Sequence, residues 1–324
     1  MLSPATAPVE PSAVRCAGRS HSLMHLAMLL VTACWAGTYV AGKKALTGFS
    51  PVALTQLRVL GAALLYVLVW LAYPKRPRLR LTFRQWRFVA LVALSGITLN
   101  QLFLIEGLAR TSVAHTGFIA ALGPVMVLVV ACLMGLENLT VLKFAGMLIS
   151  FGGVGILTAG RARNGNGGYW VGDLILLAGS VVFAYFIILV KQGANRFDTL
   201  TLNTLVFGLG ALMLVPFGAA AVLKVHWQAV PAPAWWALAY MIVFGSVLPY
   251  LLFAWVLSVL AASRVAAFGY LQPVIATSFG IWLLGERLTL KVVVGGAIIL
   301  LGVYLTERER GEEKEAQGIA PDAA

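Results

Sequence analysis

Apolar blocks, each close to the ~20 residues of helix that cross a ~30 Å hydrocarbon core, follow one another with short polar joints from Ser22 to Leu305. They predict ten helices. The first five lie at Ser22–Lys43, Pro51–Tyr73, Gln85–Leu108, Thr111–Met134 and Thr140–Gly160, and the second five at Tyr169–Val190, Thr199–Leu223, Ala234–Leu257, Ala261–Leu284 and Thr289–Leu305. Such spans use most of the 324 residues, so no room is left for a separate soluble catalytic domain. The fold class that follows is an all-α polytopic membrane protein. Composition agrees: 11% of residues are charged, where a soluble domain carries roughly 25%.

Outside the spans, residues 1–21 read as a disordered cytoplasmic tail, rich in Pro, Ala and Ser, and residues 306–324 as a charged, polar tail. A cleavable signal peptide is the competing reading of the first segment, and it lacks an A-x-A cleavage site. The formal charge of +12 would suggest nucleic acid in a polar chain. Here Lys and Arg sit between apolar blocks. With Arg58 set aside, fifteen fall on the side of the termini and eight on the other, most of the bias coming from Lys75 to Arg87. By the positive-inside rule both termini are cytoplasmic in a bacterial inner membrane, and no nucleic-acid partner is expected. Cys16, Cys34 and Cys132 form neither a CxxC pair nor a zinc spacing. No cofactor or metal is expected.

Residues 161–168 (RARNGNGG) form a flexible linker at mid-chain, where a duplication would leave its seam. A shift of 149 carries Leu122, Pro124 and Val125 onto Leu271, Pro273 and Val274, and Glu137, Leu139, Thr140 and Gly146 onto Glu286, Leu288, Thr289 and Gly295. It also carries Gly61 onto Gly210, Gly96 onto Gly245 and Gly153 onto Gly302. The units are 22–160 and 169–305. Five spans is an odd number, so the second unit enters the membrane upside down, giving two inverted five-helix repeats of the kind that build many secondary transporters.

Several residues inside these spans are unusual for lipid. Pro124 and Pro273 fall at repeat-related places near the middle of the fourth and ninth helices, and each deprives the carbonyl four residues back of its partner. They are candidate hinges, as is Pro249, whose counterpart in the first unit is Asn100; the plainer reading is a tolerated kink. Asn100, Gln101, His115 and Gln272 need partners or water at membrane depth. We expect Asn100, His115 and Gln272 to face a cavity, the alternative being ordinary interhelical hydrogen bonds.

Trp35 and Tyr39 share one face of the first helix, with the small residues Ala33, Gly37 and Ala41 on another. Together with Tyr185, Tyr250, Trp255 and Tyr270 they could line a cavity that receives apolar side chains. A belt of interfacial aromatics is the competing reading. No carboxylate stands at the centre of a span; Glu106 and Asp173 fall towards span ends. Transport without a buried proton-relay carboxylate is therefore expected. Arg58 is expected to be structural, paired with a carboxylate or with carbonyls, and Glu286 to cap the tenth helix.

The stretch Leu271-Gln272-Pro273-Val274, then Gly285-Glu286-Arg287-Leu288-Thr289, then Gly295-Gly296 and Gly302-Val303 resembles the EamA-type repeat of the drug/metabolite transporter superfamily. The first half carries a degraded copy in Pro124-Val125 and Leu136-Glu137-Asn138-Leu139-Thr140, and Arg58 matches an arginine usual in that helix of the family. The resemblance implies a ten-helix exporter of small metabolites, more narrowly one similar to the aromatic amino acid exporters, with a monomer sufficient for transport. Two other classes compete. A flippase for lipids or lipid-linked precursors would share the architecture. An intramembrane enzyme would need a nucleophile and base, and no HExxH or paired-carboxylate motif occurs.

Overall fold

A computed structural model describes residues 19–74, 81–135, 139–158, 169–193, 197–259 and 268–316. Among them every regular element is helical. Side-chain caps set where several helices begin. Ser50 accepts from Ala53 N at 3.4 Å ahead of α2 (Pro51–Ala72), whose first residue is a proline at a position where no N–H is needed. Thr82 and Gln85 form a capping box before α3 (Phe83–Ala93), and Asp198 accepts from Thr201 N at the start of α9 (Thr199–Leu223). Within the spans, Thr32, Thr38, Thr55 and Ser180 return their hydroxyls to the carbonyl four residues back. This satisfies a polar group where lipid offers no partner.

Six stretches of the described chain are long and apolar enough to cross a membrane: 23–45, 51–72, 83–110, 170–191, 199–223 and 232–257. Three shorter apolar helices cover 141–156, 271–284 and 290–305. Large apolar side chains point outward along them, Leu68, Phe217, Val141 and Trp282 each more than 60% exposed. In water such a surface would be an aggregation hazard; in lipid it is the solvated face.

Four expected helices differ in form. The fourth is broken at Ala121 and Leu122 into α5 (Val113–Ala120) and α6 (Gly123–Leu133), bent by 43°. The third and eighth each contain a π-helical segment, Leu94–Leu99 between α3 and α4 (Asn100–Arg110), and Val243–Val247 between α10 (Ala232–Ile242) and α11 (Leu248–Val259). Both π segments begin at positions 149 apart. The described part of the ninth is a 3₁₀ turn, Phe268–Tyr270, followed by α12 (Leu271–Leu284).

The two ends also differ from expectation. α1 runs from Arg19 to Ala45, three residues into the expected tail, and α13 runs from Leu290 to Ala316, well past Leu305. The stretch after Leu305 is dense in Glu, Arg and Lys, which are strong helix formers. The linker 161–168, residues 136–138 with Glu137, residues 260–267 at the start of the expected ninth helix, residues 1–18 and residues 317–324 lie outside the described residues.

The most extensive helix pairs are α7 (Val141–Thr158) with α13, and α2 with α9. Each joins helices that the 149-residue shift superimposes. Between α7 and α13 the packing is reciprocal. A Cβ on Gly153 would come within 2.8 Å of the Gly295 carbonyl, and one on Gly302 would press equally hard on the Gly146 carbonyl. Ser150 Oγ donates to the carbonyl of Ile299, its own counterpart, at 3.4 Å. The largest core cluster lies elsewhere, among α1, α2, α3, α8 (Trp170–Gly193), α9 and α11, around Tyr66, Phe207, Phe186 and Tyr250.

Candidate substrate cavity

Between α1, α2, α4, α5, α6, α8, α11 and α12 lies a cavity of about 140 Å³, smaller than the ~300–1,000 Å³ of drug-sized ligand sites. Part of the lining is aromatic. Trp35 meets Phe183 edge-on (6.1 Å between centroids, 83° between planes) and Tyr250 likewise (5.9 Å, 73°). Both are favourable quadrupole arrangements that fix the rings. Polar side chains complete the lining, among them Tyr39, Arg58, Asn100, Thr116, Ser180 and Gln272.

Trp35, Tyr39, Asn100, Tyr250 and Gln272 are thus brought together from four helices. His115, Tyr185 and Trp255 are not part of this lining. Tyr185 is wedged between two core clusters and Trp255 packs against the larger of them. The side chain of Tyr270 lies outside the described residues. Sequence reasoning chose Tyr185 on α8 for its polar handle and missed Phe183. The α8 lining residues Leu176, Gly179, Ser180, Phe183 and Ile187 follow helical spacing and form one stripe. Tyr185 is two residues from Phe183, hence on the far side of the helix.

The amides are held across helices. Gln272 Nε2 donates to the Tyr39 hydroxyl at 2.6 Å, Gln101 Nε2 to the Tyr250 hydroxyl at 2.9 Å, and Asn100 Nδ2 to the Gly179 carbonyl at 3.2 Å. Gly37, from the small-residue stripe of α1, seats the ring of Tyr240, whose hydroxyl donates to the Cys34 carbonyl at 3.3 Å.

Arg58 is 1% exposed and pairs with no carboxylate among the described residues. Its Nη2 donates to the Gly245 carbonyl and its Nε to Ser246 Oγ, both at 2.9 Å. Gly245 lies four residues before Pro249, so its carbonyl is the one that the proline leaves without a helical donor. Arg58 supplies the missing donor. The approach needs a glycine, since a Cβ on Gly245 would fall 2.7 Å from Thr38 Oγ1 and 3.1 Å from Nη2. Tyr66 donates to the neighbouring Val247 carbonyl at 2.9 Å. Pro249, the second residue of α11, therefore follows directly on a π-widened, side-chain-stapled segment.

Pro124 and Pro273 sit in first helical turns rather than at bends inside continuous helices. Pro124 follows the break before α6, and Pro273 is the third residue of α12. A first turn has no intrahelical acceptor for the N–H that proline lacks. The cost expected for a mid-helix proline is avoided by starting a new helix.

Glu286 corrects its expected role. It does not cap the tenth helix: Oε1 accepts from Val113 N at 2.8 Å and Oε2 from Ala114 N at 3.2 Å, so it covers the N-terminus of α5 in the other half. Gly285, at φ +66°, makes the turn, and Glu286 N closes it onto the Gly280 carbonyl at 3.1 Å. The carboxylate is thereby pointed back across the interface.

Asp173 also differs from its place in the sequence. Four residues into α8, it is only 1% exposed, with Oδ2 2.9 Å from Nδ1 of His115 and Oδ1 accepting from Thr111 Oγ1 at 2.5 Å. A carboxylate near a span end can still be buried when a neighbouring helix covers it. Tyr169 closes this cluster with its ring edge-on to His115.

Comparison with known proteins adds an independent line. The EamA-like transporter family profile matches residues 22–159 and again 170–308. An uncharacterized transporter of Archaeoglobus fulgidus is 27% identical over 291 residues, covering 88% of this chain and 98% of that one. The uncharacterized transporter YvbV of Bacillus subtilis is 27% identical over 311 residues, covering 94% and 98%. A chloroplastic WAT1-related protein of Arabidopsis thaliana is 25% identical over 86% of this chain and 68% of its own. A solved crystal structure shares the fold at a TM-score of 0.62 with 17% identity, covering 89% of this chain and 98% of that one.

Proposed function

This chain belongs to the EamA-like transporter family, and from that premise we propose that it exports aromatic or other hydrophobic amino acids from a bacterial cell by alternating access. The reading takes the six long spans, the bent α5–α6 pair and the three shorter apolar helices as ten crossings. Two inverted five-helix halves, 22–160 and 169–305, then rock around the cavity, with both termini cytoplasmic. The meeting of repeat-equivalent residues supports the inversion, because a two-fold relation brings a position into contact with its own counterpart only near the axis.

The observation that carries the substrate reading is the cavity's mixed lining, the ring cluster of Trp35, Phe183 and Tyr250 together with polar groups drawn from both halves. The rings suit an apolar or aromatic side chain, and the amides and hydroxyls suit the charged backbone groups of an amino acid. The helix breaks before Pro124 and Pro273 border this space and supply places where the halves can flex. No chemistry on the substrate is needed.

Proteoliposomes containing the purified protein test this. Counterflow of radiolabelled tryptophan, phenylalanine or leucine, saturable and lost on Trp35→Ala together with Phe183→Ala, is expected. Counterflow of lipid-linked probes with none for amino acids would favour the flippase class instead.

A further inference from the structure

We propose that the unpaired edge of Arg58 anchors a substrate carboxylate, so that the cavity selects amphipathic molecules bearing a carboxylate over their amides and amines. The inference deepens the amino acid reading above and rests on the cavity being the substrate site.

Three observations carry it. Arg58 lines the cavity, and its Nη1, buried, has no hydrogen-bond partner. Of the five N–H groups of a guanidinium, one on Nε goes to Ser246 and one on Nη2 to Gly245. Both N–H of Nη1 and the second of Nη2 remain, and they form an edge of the fork that can meet two oxygens at once.

Second, nothing in the lining neutralises the charge: no Asp or Glu is among the cavity residues. Three of the described carboxylates are committed elsewhere. Glu106 is paired with Arg110, Asp173 with His115 and Thr111, and Glu286 with the N-terminus of α5. A buried charge at membrane depth without a counter-charge is unfavourable, and such groups mark substrate pathways.

Third, the hydroxyls beside Arg58 are donors to spare. Tyr39 and Tyr250 line the same cavity as the guanidinium. Each hydroxyl oxygen accepts from a glutamine, Gln272 or Gln101, which leaves its O–H free to donate. A guanidinium edge with two hydroxyl donors and no carboxylate in the lining is the complement of a carboxylate. The aromatic wall at Trp35 and Tyr250 adjoins it, which orders the ligand with its anionic end at Arg58 and its side chain against the rings. The pinned Nε and Nη2 hold the free edge in place before the ligand arrives, so little ordering is left for binding.

The test measures equilibrium binding to the purified full-length protein in lipid nanodiscs, using tryptophan, tryptophanamide and tryptamine, with leucine and leucinamide as a second series. Removing the carboxylate is expected to weaken binding to the wild type by about 10- to 100-fold, as for loss of a charge-assisted hydrogen bond. In Arg58→Gln the acid and the amide should bind alike. Because Arg58 also staples the Pro249 segment, thermal unfolding of each variant is followed, and Arg58→Lys keeps the charge while losing the fork. If Arg58→Gln does not fold, the wild-type series decides alone. Equal binding of acid, amide and amine to the wild type would overturn the proposal. Binding of the leucine pair but of no aromatic probe would refute the aromatic preference and leave the carboxylate anchor to be judged on leucine against leucinamide. No binding in either series would sink both.

Discussion

Gln101 donates from Nε2 to the hydroxyl of Tyr250 at 2.9 Å, and the two residues stand 149 positions apart, the spacing that superimposes the halves of the sequence. Ser150 and Ile299 meet at the same spacing between α7 and α13. One pair could be coincidence of packing. Two such pairs, with the reciprocal glycine contacts of α7 and α13, are what a two-fold axis between the halves would produce.

Reciprocity at that interface predicts matching damage. Gly153→Val and Gly302→Val each place a branched side chain against backbone atoms of the facing helix, where overpacking costs about 1–3 kcal/mol. Thermal unfolding in detergent should show both variants destabilised by similar amounts, while Gly208→Ala, with open space at its Cβ, should differ little from the wild type.

Glu286 ties the turn after α12 to the first half of the chain. Glu286→Ala removes two acceptors from the N-terminus of α5 and should destabilise the protein by about 1–2 kcal/mol, as lost helix caps do. Glu286→Gln keeps one acceptor oxygen and should lose less. The ranking of the two melting temperatures below wild type is the measurement, and an equal loss would show that the carboxylate does not act as a cap.

The aromatic wall should report its contribution directly. Trp35→Ala removes the ring that contacts both Phe183 and Tyr250, and tryptophan binding is expected to weaken about 10-fold or more, each aromatic pair carrying roughly 0.5–1.5 kcal/mol beyond its buried area. Trp35→Phe should recover much of it. Tyr185→Ala, which sits among core side chains, should change stability more than affinity.

At the His115–Asp173 pair, removing one partner leaves a buried polar atom of the other without its bond, while Thr111 still donates to Asp173. Such losses cost about 1–3 kcal/mol, so Asp173→Ala and His115→Ala should each lower the melting temperature. The double variant is expected to be less damaged than the sum of the two. That non-additivity, read by thermal unfolding, is the signature of a direct pair.

Topology offers a further check. On the proposed topology, a reporter fused after Ala324 should be active only as a cytoplasmic fusion, and a cysteine introduced at Thr47 should react with impermeant thiol reagents from outside. The reverse pattern would invert the assignment drawn from Lys75 to Arg87.

Particular residues show how far the sequence reached. The α9 boundaries, Thr199 to Leu223, coincide with the expectation, because an Asp N-cap and a long apolar run are local signals. The π segments in the third and eighth spans left no such mark: only one of the two is followed by a proline, and the Asn100 position looks like ordinary helix. Phe183 was overlooked because any face of an all-apolar helix can be buried. Glu286 was assigned to the nearest helix in sequence, while its true partner is 173 residues away at Val113.

By itself the sequence determined an all-helical chain made for lipid, the places of most spans, and a 149-residue internal echo. Each of these follows from short-range properties: runs of apolar side chains, capping residues and identities at one shift. The tertiary structure alone decided which face of each helix looks into the cavity, that Arg58 staples the carbonyl freed by Pro249 while keeping an unpaired edge, and that Asp173 is buried against His115. Those outcomes depend on how helices rotate and approach one another. In a membrane protein nearly every face is apolar, so hydropathy does not encode that rotation; a few polar groups seeking partners, and glycines permitting close approach, settle it.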